Sequence, residues 1–317
     1  MKTQTLLPLL LLLTLPAVVQ AQFTFTTNNG AITITKYTGS GGAVAIPSSA
    51  NGWPVTAIGG SLDIYGEWLG AFYNCTNLTS ITIPNSITSI GTQAFEYCTS
   101  LASLTIGTNV SSIGDWAFTS CLRLPSITMP NSITSIGSGV FDACISLTSI
   151  TIPDSVTSIG SQAFCECSSL TNVTIGTNVT GIGTYAFSDC ISLTSVTIPA
   201  SVTSIGDYAF PYCNSLTSIT VDALNSVYTS ANGVLFDKNQ TTLIQYPGGK
   251  AGSYTVPDGV TNIWDWAFNN CGSLTSLSIP DSVTTGAMGF IGCTTLSAIT
   301  VVTNNPVYSS MNGVLFD

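Results

Sequence analysis

The stretch Leu78 to Cys98 reads L-T-S-I-T-I-P-N-S-I-T-S-I-G-T-Q-A-F-E-Y-C, and the same pattern returns every 23 residues. One cysteine marks each unit: Cys75, Cys98, Cys121, Cys144, Cys167, Cys190 and Cys213 are all 23 apart. A fixed period of this length is the signature of a solenoid, in which each unit stacks only on its neighbours. Within the unit, Leu78, Ile81 and Ile83 alternate with Ser80 and Thr82, as in a half-buried strand. Pro84-Asn85-Ser86 is a turn. Ile87 to Ile90 makes a second short extended piece, which Gly91 ends. Thr92 then stands where a short helical turn over 93–98 needs an N-cap, and its equivalents Asp115, Ser138, Ser161, Thr184, Asp207 and Asp265 all carry side-chain oxygens. The inward set of each rung is Leu, Ile, Ile, Ile or Val, Ile, Ala, Phe and Cys. No rung offsets its own backbone ordering, but a stack does.

The run Ile152-Pro153-Asp154-Ser155-Val156-Thr157-Ser158-Ile159-Gly160, continued by Ala163-Phe164 and Cys167, resembles the BspA-type leucine-rich repeats of bacterial surface proteins. The resemblance covers roughly residues 42 to 301. It implies a parallel-stranded solenoid that is secreted or displayed at the cell surface, in a family associated with adhesion and with binding host or matrix macromolecules. It carries over no catalytic residues. The expected architecture is mainly β: a leucine-rich-repeat solenoid of about ten 23-residue rungs with one short helical turn per rung.

Outward from the repeats, residues 1–21 have the form of a secretory signal, with Lys2, an apolar run from Leu6 to Leu15 and the cleavage site Val19-Gln20-Ala21. The apolar run is too short to span a bilayer. Residues 22–41 alternate around Asn28-Asn29-Gly30 and predict a β-hairpin that caps the edge of the first rung. The solenoid proper is expected over 42–301. Its first rung carries a loop with Asp63, Tyr65, Glu67 and Trp68, which reads first as the irregularity of a terminal rung and, as the alternative, as an aromatic and carboxylate set that could hold a sugar. Residues 83–121 and 152–190 match at an offset of 69, three units, which points to duplication of a block. Between Cys213 and Cys271 an extra segment, 222–256, is expected to form a protruding hairpin. Residues 302–317 repeat the opening of that segment at an offset of 80 and read as the start of a second copy, cut short, which leaves open whether an anchor or further domain follows.

Composition narrows the chemistry. There is no histidine, and five Lys and Arg face 15 Asp and Glu, for a net charge of −10. A basic footprint for nucleic acid is absent, as is a basic membrane-surface patch. A histidine base is excluded, and the Asp residues fall at cap and turn positions, so no enzyme activity and no cofactor are expected. The ten cysteines are expected to be core thiols. Stacked in register about 4.8 Å apart, they sit wider than the roughly 3.5–4.5 Å between the Cβ atoms of a disulfide, and one per rung cannot supply the four ligands of a zinc site. Cys165 aligns with Glu96, Asp142 and Ser188 and is expected to face solvent as a neutral substitution, with a reactive thiol as the alternative.

The candidate binding surface is a pair of uncharged stripes on one strand face: Ser80, Ser103, Ser126, Ser149, Asn172 and Ser195, beside Thr82, Thr105, Thr128, Thr151, Thr174 and Thr197, with Tyr65 and Trp68 of the first-rung loop as outliers. A second face adds Thr88, Thr134, Thr157, Thr180 and Thr203. The expected function is a non-catalytic adhesion module for an extracellular protein or polysaccharide. The alternatives are a spacer that displays another domain and an ice- or crystal-binding hydroxyl array.

Overall fold

The computed structural model describes residues 22–62, 65–286 and 288–316. The chain opens with an antiparallel hairpin of β1 (Phe23–Asn28) and β2 (Ala31–Tyr37). Asn29 and Gly30 both take positive φ at its tip, the conformation that lets a two-residue loop follow the twist of its strands. β2 pairs in parallel with Trp53–Ile58, so the hairpin covers the open edge of the first turn.

Behind it the main chain winds as a solenoid with two parallel strand columns. In the first, Leu78–Thr82 and Ser103–Thr105 pair with Ser80 opposite Ser103 and Leu104 opposite Ile81. The second contains Ser89–Ile90 and Ser112–Ile113, with Ile90 opposite Ile113. The register between successive turns is therefore the sequence period itself. It places every inward Ile and Val on its equivalent: Ile150 on Val173, Ile159 on Ile182.

The third side of each turn is not helical. No helix occurs among the described residues. Ala94, Glu96 and Cys98 donate their N–H to the carbonyls of Gly91, Gln93 and Phe95, closing single turns. The residues between them, Gln93, Phe95 and Tyr97, donate instead to Asp115, Ala117 and Thr119 on the next turn. Gln93 and Tyr97 take positive φ to allow this, as do Trp116 and Ser120 one turn later. The physical reason is width. An α-helix is about 10–12 Å across, whereas stacked strands advance about 4.8 Å per turn. The capping expectation changes accordingly. The Asp115 carboxylate accepts from the N–H of Ser138, 2.7 Å away on the following turn, rather than from its own segment.

The core is built of ladders. Phenylalanine rings stack with centroids 4.7 Å apart between Phe72 and Phe95, 5.1 Å between Phe95 and Phe118, and 5.5 Å between Phe141 and Phe164. Beside them, the ladder cysteines from Cys98 to Cys213 each donate their thiol to the carbonyl of a phenylalanine on the preceding turn, as Cys98 does to Phe72 at 3.2 Å, Cys167 to Phe141 at 3.1 Å and Cys213 to Phe187 at 3.1 Å. All ten cysteines are free thiols.

Residues 222–256 do not protrude. They form the antiparallel strands Tyr228–Ala231, Val234–Asp237 and Thr242–Gln245, and Val234, Leu235 and Phe236 are fully buried. Thr242–Gln245 joins the second column, pairing in parallel with Asn262–Ile263. Tyr246 takes the phenylalanine place: its ring lies 5.4 Å from Phe268, and its N–H donates to Ala267 as that of Phe187 does to Ala209. The segment thus supplies a turn of its own, and the solenoid has about 12 turns rather than ten. Buried Asn225 pins its start. The Asn225 amide donates to the carbonyls of Pro199 and Val202, and its oxygen accepts from Val227 and Tyr228. Asn305 repeats these bonds on Pro280, Val283, Val307 and Tyr308.

Candidate functional site: the first strand face

In the first column the residues between the buried Ile and Val face outward. Thr82, Ser103, Thr105, Ser126, Thr128, Ser149, Thr151, Asn172, Thr174, Ser195 and Thr197 are exposed, and Ser80 is half-buried. They stack in register: Thr82 on Thr105, Ser126 on Ser149, Ser149 on Asn172, Thr151 on Thr174. Among the described residues none of these hydroxyls hydrogen-bonds within the chain.

Part of the stripe lines an open groove of about 680 Å³. Ser126, Thr128, Ser149, Thr151 and Thr174 form its strand wall. The other wall comes from the turns that follow the strands, with Asn131, Asp154 and Thr177. Asp154 is the groove's fixed charge. Its carboxylate accepts from the N–H of Thr177 at 2.7 Å, and that bond holds its pKa below the usual carboxylate range. These turn residues were missing from the sequence-derived surface. Their signal was the position after Pro or, at Thr177, after Gly176, where Asn85 binds the N–H of Thr108 as Asp154 binds that of Thr177.

Tyr65 and Trp68 are both exposed, Tyr65 at 83%. Trp68–Gly70 pairs with Gly60–Leu62 at the first turn, and neither aromatic lines the groove. Asp63 of the same loop lies outside the described residues. The second face differs from its expectation, because its hydroxyls are occupied. Those of Thr157, Thr180 and Thr203 donate to the carbonyls of Thr134, Thr157 and Thr180 at 3.2, 3.0 and 3.3 Å.

Cys165 is half-buried and is not an activated thiol. Burial, with the Asp142, Glu166 and Asp189 carboxylates nearby, pushes its pKa up to about 12. A nucleophilic cysteine needs the opposite surroundings. Burial likewise raises Asp142, to about 6, with Glu166 adding to it. Among the described residues no group of three or more Cys, Asp or Glu is placed to hold a metal ion, and no helix is long and apolar enough to cross a membrane.

Comparison with solved structures finds the same architecture in bacterial proteins. A leucine rich cell surface protein from Faecalibacterium prausnitzii is 32% identical, with a TM-score of 0.74 over 90% of this chain and 84% of that one. A leucine-rich repeat protein from Bacteroides ovatus is 25% identical, with a TM-score of 0.65 over 88% of this chain and 70% of that one. The pneumococcal vaccine antigen PcpA, 23% identical with a TM-score of 0.62 over 88% of this chain and 68% of that one, shares the fold. No curated protein matches. The BspA type leucine rich repeat region matches in six copies across residues 69–153, 134–250 and 249–312, the span in which the strand columns and the phenylalanine and cysteine ladders repeat. The chain belongs to the BspA-type leucine-rich-repeat family.

Proposed function

We propose that this chain is a secreted or cell-surface binding module that engages an extracellular protein or polysaccharide in adhesion, through its first strand face and without catalysis. The observation that carries this reading is the groove wall of Ser126, Thr128, Ser149, Thr151 and Thr174, whose hydroxyls make no bond within the chain. Each is both donor and acceptor at a fixed spacing. A ligand that meets them loses only water contacts, so a repeating partner can add bonds turn by turn. The signal-like residues 1–21, which lie outside the described residues, support an extracellular site of action, as does the cell-surface description of the Faecalibacterium relative.

The test is a binding screen of the chain from Gln22 to Asp317 against matrix proteins and polysaccharides, beside a variant with Thr128→Lys, Thr151→Lys and Thr174→Lys. These positions are exposed, so three lysines leave the fold in place while filling the groove with charge. Saturable binding that the variant loses is the expected result. Binding that the variant retains, or no binding across the panel, overturns the reading.

A further inference from the structure

The turn supplied by residues 222–256 is spliced in with a short corner. On an ordinary turn the chain takes five residues from the last inward position of the second column to the phenylalanine place: Ile205-Gly206-Asp207-Tyr208-Ala209-Phe210, and again Ile263-Trp264-Asp265-Trp266-Ala267-Phe268. On the spliced turn Leu243, which pairs with Ile263, reaches Tyr246 in three. Two corner residues are missing between Asp207-Tyr208 below and Asp265-Trp266 above.

The neighbours respond to the gap. Stacked corner rings on adjacent turns, Tyr185 and Tyr208, have centroids 5.0 Å apart. Tyr208 and Trp266 are two turns apart, yet their centroids are only 6.1 Å apart and tilted at 58°. The residue after the inward Ile is elsewhere Gly114, Gly137, Gly160, Gly183 or Gly206, packed so tightly that a Cβ on Gly183 would lie 2.5 Å from the carbonyl carbon of Gly160. Above the short corner that position carries Trp264. Leaning rings and an indole do not fill the space. A notch of about 270 Å³ remains, lined by Asp207, Tyr208, Asn262, Ile263, Trp264 and Asp265.

We propose that this notch binds a single neutral pyranose unit of a polysaccharide. Tyr208 and Trp264 offer aromatic surface for the aliphatic C–H face of a sugar ring. Asp207 and Asp265 are acceptors for vicinal hydroxyls. Asn262 contributes its N–H donors, since its oxygen already accepts from the Thr285 hydroxyl at 2.9 Å. The volume falls just below the roughly 300–1,000 Å³ of sites for drug-sized ligands, which suits one ring rather than a chain. No lysine or arginine lines the notch, and two carboxylates repel an acidic sugar. The assignment does not rest on the strand face, with which the notch shares no residue.

Saturation-transfer NMR and tryptophan fluorescence on the chain from Gln22 to Asp317 test it, with the methyl glycosides of glucose, galactose, mannose, xylose and N-acetylglucosamine, and methyl glucuronide as the anionic control. Saturable binding of at least one neutral glycoside is expected, with none to the glucuronide. Asp207→Asn should weaken it about tenfold, the worth of one charged hydrogen bond, and Tyr208→Ala about fivefold, through the lost ring contact. Inserting Gly-Asp between Leu243 and Ile244, which restores the corner, should abolish it at an unchanged urea midpoint. No binding to any neutral glycoside, or binding untouched by Asp207→Asn and Tyr208→Ala, overturns the assignment. The Thr128, Thr151 and Thr174 lysine variant should bind the glycoside like the parent. Loss there, with Asp207→Asn unaffected, would move the sugar to the strand face and likewise overturn it.

Discussion

Thr151 and Thr157 are six residues apart, both exposed, both one rung of a threonine column, and they act in opposite ways. Thr157 donates its hydroxyl to the carbonyl of Thr134 one turn back, and Thr180 and Thr203 continue the ladder. The hydroxyls of Thr151, Thr128 and Thr174 bond to nothing in the chain and face the groove. The difference is position along the backbone. Thr157 immediately precedes the strand Ser158–Ile159, where the chain enters the column and the side chain can follow its own N–H toward the same carbonyl. Thr171 and Thr194 enter the first column in the same way and donate to Thr148 and Thr171. Thr151 lies within a strand, where side chains stand roughly perpendicular to the sheet and the ladder occupies the carbonyls. Entry residues tie turns together; residues inside strands are left for something else.

The most damaging way to break the tied side is to push its turns apart. Gly183 follows directly on the ladder, and the added methyl of Gly183→Ala would meet the backbone of Gly160 and Ser161 at 2.5 Å. The expected cost is about 3 kcal/mol, the upper end of overpacking because the obstacle is backbone, read as a lowered urea midpoint. Next comes the direct comparison. Thr134→Val, Thr157→Val and Thr180→Val together should cost roughly 1.5 kcal/mol, about 0.5 each, since each carbonyl keeps its backbone N–H partner. Thr128→Val, Thr151→Val and Thr174→Val should stay within about 0.5 kcal/mol of the parent. Equal losses for the two sets would show that position on the strand does not separate the columns.

A further small effect comes from a third column, where close stacking is a liability. Glu96 and Asp142 are both raised, chiefly by burial, Asp142 to about 6. A carboxyl whose folded pKa lies above its unfolded value stabilises the fold when protonated. The gain is complete below about pH 4 and is lost as pH rises through about 6. The urea midpoint should therefore rise on acidification across that window. Asp142→Asn should flatten the slope by no more than about 1 kcal/mol, given the solvent that reaches this side chain. A midpoint that falls between pH 6 and pH 4 in the parent, and not in Asp142→Asn, would contradict the assigned burial.

Much of this was written in the period. Cysteines every 23 residues specify the stack and its register, and Ser and Thr between Ile81 and Ile150-type positions specify which side chains face out. The groove's second wall was not legible, because Asn131, Asp154 and Thr177 belong to turns whose approach to the strands depends on how the turns stack. Nor was the notch, since a corner two residues short is visible only once Leu243 is placed opposite Ile263.

What the sequence determined by itself is the repeat, the inward set and the family, for these depend on local spacing and hydrophobic pattern alone. The tertiary structure decided three things. Residues 93–98 stack as hydrogen-bonded turns, because a helix is too wide for the strand spacing. Residues 222–256 form a turn rather than a protrusion, because Val234, Leu235, Phe236 and Tyr246 find their burial only in the stack. And of two threonine columns with the same composition, backbone direction leaves one with its hydroxyls open to a partner.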